Sequence, residues 1–108
     1  MSQISHVAWL LRHGRIRRAN EEFCAWANRI IDKYHHYKVY IEDCSIVGHD
    51  IYIILEGAVP YNLIRELADG LRELGHRLQF RFDDVIVENR DKPYTIRLSI
   101  SHRVRLIP

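Results

Sequence analysis

From Tyr94 to Leu106 every even position is apolar or aromatic except one: Tyr94, Ile96, Leu98, Ile100, His102, Val104 and Leu106. The odd positions read Thr95, Arg97, Ser99, Ser101, Arg103 and Arg105. Successive strand side chains point to opposite faces, so this alternation predicts a half-buried β-strand. Its outer face would offer three arginines and three hydroxyls. Thirteen residues at about 3.3 Å each span roughly 43 Å, so the strand is expected to bend or overhang.

Toward the start of the chain the periodicity is mixed. Ile4, Val7, Ala8 and Leu11 fit a helix stripe, yet Ser5, Val7, Trp9 and Leu11 alternate as in a strand. The reading leans to strand and leaves helix open. Ile16, Ala19, Phe23, Trp26 and Ile30 recur at helical spacing, and Tyr34 continues the face. Arg15, Arg17 and Arg18 would crowd the positive end of that helix, whereas Asn20 is a good N-cap followed by Glu21 and Glu22. The helix is therefore expected to start near Asn20 and to end around His35–His36.

Tyr37 to Leu55 predicts a hairpin turning at Gly48-His49-Asp50, with a second strand apolar on both faces and hence central and covered. Pro60 suits the first turn of a second helix lined by Leu63, Leu67, Leu71 and Leu74, with Gly75 as its stop. Leu78, Phe80 and Phe82 then alternate with Arg77, Gln79 and Arg81. A change of phase before Val85 and Val87 predicts a bulge near Asp83–Asp84. Residues 89–93 read as a turn before the last strand.

One hundred and eight residues suffice for a single core, so 1–108 is expected to be one α+β domain. The predicted architecture is a two-layer sandwich, with two helices on one face of a mainly antiparallel sheet in (β)αββαββ order. In topology alone it resembles a ferredoxin-like plait.

Charge changes the picture more than composition does. The net charge is only +2, but residues 1–38 carry +4, residues 39–60 carry −4 (Glu42, Asp43, Asp50, Glu56), and the remainder carries +2. Thirteen of the sixteen basic residues are arginine, the cation suited to planar contacts with carboxylates and phosphates. If Arg77 and Arg81 pair alongside Arg97, Arg103 and Arg105, the outer sheet face is a basic platform, with Arg15, Arg17 and Arg18 as a second basic group.

The chemistry of catalysis finds little support. GxGxxG, the phosphate loop, HExxH, CxxC and GxSxG are all absent. No two of the seven histidines show helical i, i+4 spacing, so no metal site is expected. The acids at Glu42, Asp43 and Asp50, and at Asp83, Asp84 and Glu88, read as solvated turns. Cys24 and Cys44 are too few for a disulfide framework and lie among apolar residues, and Cys24 with His36 is a weak nucleophile pair. The short apolar run from Val7 to Leu11 is neither a signal peptide nor a membrane span, which makes the cytoplasm the expected location.

The expectation is a small cytoplasmic binding module without catalytic activity or cofactor, of adaptor or inhibitor type. It would dock on a larger protein or nucleoprotein through its basic sheet face, with no membrane partner. The second reading is a nucleic-acid binder that contacts phosphates without reading sequence, since the outward sheet positions are expected to carry no aromatics for base stacking. Homodimerisation through the basic and acidic surfaces is a further partner expectation, and a phage or mobile-element origin fits a stand-alone domain of this size.

Overall fold

The computed structural model describes residues 2–48, 50–78, 82–89 and 94–100, the last two stretches through their backbone pairing. Element order is α1 (Gln3–Arg12), α2 (Ile16–Asp32), a 3-10 turn (His35–Tyr37), β1 (Val39–Val47), β2 (Asp50–Gly57), α3 (Tyr61–Leu78), β3 (Phe82–Asn89) and β4 (Tyr94–Ile100). The strands form one antiparallel sheet in the order β1-β2-β4-β3. The α+β class expected from the sequence is what is seen, but with three helices among the described residues instead of two.

The third helix is the segment for which the pattern leans to strand. Ser2 is the N-cap of α1, its hydroxyl accepting a hydrogen bond from the Ser5 backbone N–H at 3.1 Å. That satisfies one of the donors a helix start leaves open. Ile4, Val7, Ala8 and Leu10 are buried, so the helical stripe prevails over the alternation. Without a strand there, the likeness to a ferredoxin-like plait loses its opening strand.

The start of α2 is also corrected: it lies at Ile16, with Arg15 at the N-cap and no side-chain cap. Two surface pairs at i, i+4 offset the basic first turn, Arg17–Glu21 at 3.8 Å and Arg18–Glu22 at 3.4 Å. Asn20 is occupied elsewhere, by β1.

The hairpin turns after Val47, where Gly48 adopts φ 57°. β2 is central, as expected, but among the described residues it is covered on one face only. Ile51, Ile53 and Leu55 are buried beneath the helices, while Tyr52, Ile54 and Glu56 on the other face are half-buried. Unanticipated by the sequence pattern, β1 carries a bulge between Ile41 and Asp43.

In α3 the expected stop at Gly75 fails, since the helix runs on to Leu78. A glycine within a helix costs about 1 kcal/mol relative to alanine. Carrying the helix on buries Leu78 in line with Leu67, Leu71 and Leu74, a gain of about 1.5–3 kcal/mol that outweighs this. Leu78, expected in a strand, is helical, residues 79–81 lie outside the described residues, and β3 has an irregularity between Phe82 and Asp84 where the change of phase predicted a bulge. The expected turn and the end of the last strand, at 90–93 and 101–106, lie outside the described residues.

The core joins all three helices to the sheet. Phe23 and Trp26 of α2 stack with ring centroids 5.7 Å apart, and Trp26 lies directly over Gly70 of α3. A Cβ at position 70 would overlap Trp26 ring atoms Cζ2 and Cη2, so only glycine lets the indole sit there. α1 packs against both α2 and α3. Beyond the core, Glu66 of α3 accepts from Lys33 Nζ at 2.6 Å and from the Tyr34 hydroxyl, linking the end of α2 to α3.

Candidate docking surface

Of the basic residues expected to share the outer sheet face, Arg77 is the one that the described residues place elsewhere. Arg77 sits in the last turn of α3, its guanidinium bonded to Glu73 at 2.9 Å, and is not a strand residue. Helix continuation through Gly75 is the cause. Arg97 occupies the register position opposite Tyr52 of β2 and Ile86 of β3. Arg81, Arg103 and Arg105 lie outside the described residues.

The first hairpin also changes the outer face of the sheet. Tyr40 is 52% exposed there, and Tyr52 shares that face. The Tyr52 hydroxyl donates to Asp43 Oδ2 at 3.0 Å, which raises the Tyr52 pKa by stabilising the protonated phenol. Burial and a hydrogen bond to Glu56 shift Tyr40 the same way. The expectation that outward sheet positions carry no aromatic side chain is therefore overturned. Alternation places Tyr40 and Tyr52 correctly on the strands; the cover expected over both faces of β2 is what conceals them.

Arg15, Arg17 and Arg18 do come together. All three are exposed at the junction of α1 and α2, where Gly14 turns the chain at φ 71°. They line a shallow open depression with Gly14, Ile16 and Glu21, and Ile16 is 50% exposed within it. A neighbouring depression continues past Asn20 to Ser45 and Ile46 of β1. Among the described residues Arg17 and Arg18 pair with solvent-exposed or half-buried glutamates of their own helix, contacts of small energy that a stronger anion can displace. Arg15 stands at the uncapped positive end of α2.

Next to this corner is a group that the sequence pattern does not reveal. Trp9, 41% exposed, lies between two histidines on the outer face of α1. The His13 ring stacks on it at 4.1 Å with planes 23° apart, and the His6 ring lies parallel within 4° at 6.2 Å. His13 Nδ1 is 2.8 Å from the Trp9 carbonyl, which fixes the imidazole over the indole. A helical projection of residues 3–13, preferred to the alternation, puts His6, Trp9 and His13 opposite the Ile4, Val7 and Ala8 stripe.

The remaining sequence candidates do not assemble a reactive centre among the described residues. Cys24 does not meet His36; its thiol donates to the Cys44 carbonyl at 2.9 Å, and burial raises the pKa of both thiols. The His36 ring lies against Tyr37 instead, with centroids 4.3 Å apart and planes tilted by 44°. Asp43 is engaged by the Cys44 N–H and the Tyr52 hydroxyl, and no three metal-ligating side chains converge among the described residues. Among those residues no helix is long and apolar enough to cross a membrane. No family model, curated protein or solved structure matches this chain.

Proposed function

We propose that this chain is a small non-enzymatic binding module of adaptor or inhibitor type, acting in the cytoplasm, that docks on an anionic surface of a larger protein or nucleoprotein. The observation that carries this reading is the exposed junction where Arg15, Arg17 and Arg18 surround Ile16 at the uncapped start of α2. Arginines flanking an exposed aliphatic side chain are an interface composition, since the guanidinium is weakly hydrated and pairs in planar geometry with carboxylate or phosphate. This reading does not draw on the basic sheet platform, of which Arg77 belongs to α3 while Arg81, Arg103 and Arg105 lie outside the described residues.

The test compares wild type with the Arg15→Gln/Arg17→Gln/Arg18→Gln variant for retention on immobilised heparin and polyglutamate, two polyanions without bases. Wild type should be retained to higher salt than the variant, with both equally folded by circular dichroism. Identical elution of the two proteins would end this reading. A second copy, contacting the corner through Glu42 and Asp43 of β1, would show itself as concentration-dependent mass in light scattering.

A further inference from the structure

We infer that the outer face of α1 extends the basic corner into a binding surface for single-stranded nucleic acid, with an unpaired base stacking on the Trp9 group and phosphates held by Arg15 and Arg18. The inference rests on the corner as an anion-docking site and adds the chemical class of the ligand.

Three features of α1 and its junction support it. First, the fold does not require Trp9 where it is. The core contacts of α1 are made by Ile4, Val7, Ala8 and Leu10, and Trp9 projects from the opposite side at 41% exposure. Second, the aromatic group is ordered in advance. His13 is held over the indole by ring stacking at 4.1 Å and by its Nδ1 contact to the Trp9 carbonyl at 2.8 Å, so little side-chain freedom is left to lose on binding. Third, cations outnumber acids there, Glu21 and Glu22 being the acids beside Arg17 and Arg18. Residues 1–20 contain four arginines and no Asp or Glu, the first acid being Glu21. His13, which touches Trp9, is two residues from Arg15 across the Gly14 turn.

One ligand class uses both the rings and the cations. Each nucleotide brings a flat base and a phosphate together, which is the combination that aromatic platforms in positive surroundings recognise. An acidic peptide would satisfy the arginines and leave the indole unused. A duplex offers phosphates but keeps its base faces stacked, so single strands are preferred. An anionic membrane would need more apolar surface than one indole supplies, because the apolar stripe of α1 is buried in the core.

The experiment is fluorescence anisotropy with labelled mixed-sequence single-stranded DNA and RNA oligonucleotides, a duplex of the same sequence, and labelled polyglutamate. Wild type should bind single strands more tightly than duplex. Trp9→Ala should weaken single-strand binding by about tenfold, Trp9→Phe should retain most of it, and neither should alter polyglutamate binding. Arg15→Gln/Arg18→Gln should flatten the slope of log affinity against log salt by about 0.7 for each phosphate no longer neutralised. Single-strand binding unchanged in Trp9→Ala overturns the stacking surface while leaving the anion-docking corner intact. Failure to bind any oligonucleotide at low salt also overturns it; polyglutamate binding lost in the triple arginine variant would then keep the corner, and its absence would remove both.

Discussion

The side-chain carbonyl of Asn20, in α2, accepts the Ile46 backbone N–H of β1 at 2.7 Å. One helical turn later Cys24 donates its thiol proton to the Cys44 carbonyl at 2.9 Å. β1 is an edge strand, and these two bonds occupy an N–H and a C=O that would otherwise face solvent. An open edge is a template for pairing with another chain, and covering it with a helix is one way of blunting it.

Asn20→Ala leaves the Ile46 N–H without its acceptor and should destabilise the fold by about 1–3 kcal/mol. Asn20→Asp retains a carboxyl oxygen in place and should stay near wild type. Urea denaturation gives the stability, and light scattering should show association in the alanine variant alone. Equal stability of all three proteins would mean that the bond does not contribute.

Gly70→Ala tests the contact of Trp26 with α3. The new methyl would overlap the indole, and overpacking a core costs about 1–3 kcal/mol. Better helix propensity returns about 1 kcal/mol at most, so the expected result is a net loss in the melting temperature. A stabilised variant would show that the ring can move aside freely.

Glu66 gives the fold a dependence on acid. Hydrogen bonds from Lys33 and Tyr34 hold its carboxyl below the usual carboxylate range. A depressed folded-state pKa contributes stability that is present above the unfolded value and is lost as pH falls through the folded one. The stability of wild type should therefore drop faster on acidification than that of Glu66→Gln, by no more than about 1 kcal/mol because the carboxylate is partly exposed. Tyr34 is shifted upward, chiefly by the same bond to Glu66, so its share persists below the ordinary phenol range and fades as pH rises beyond it. Chemical denaturation across acidic pH, with identical curve shapes for the two proteins, would contradict this.

Arg15→Ser should separate stability from binding. Serine at the N-cap of α2 supplies the side-chain acceptor that arginine lacks, worth about 0.5–2 kcal/mol. The same change removes a cation from the proposed docking corner. A higher melting point together with earlier elution from heparin is the expected pair of results. Higher stability with unchanged retention would take Arg15 out of the corner.

The long apolar stripes are legible in the sequence, and so are the elements that depend on them. Phe23, Trp26 and Ile30 place α2, and Leu63, Leu67 and Leu71 place α3, because burial at helical spacing leaves little choice of face. Hidden from the sequence are positions where one residue type serves two purposes. Asn20 looks like a cap but binds a strand across the fold, and Gly75 looks like a stop but is carried through by the burial of Leu78. Ser2 tips α1 to helix with one hydrogen bond, and the alternation of Ser5, Val7 and Trp9 conceals it. The three arginines of the corner are legible as charge. Their neighbour Trp9 is not, because a strand reading puts it in the core.

The glycine beneath Trp26 also determines how the molecule can move. One turn along α3 in either direction the indole would meet Glu66 or Leu74, both of which carry side chains where Gly70 has none. Gly70 is thus a notch, and the indole seated in it pins α2 against sliding on α3 by a turn.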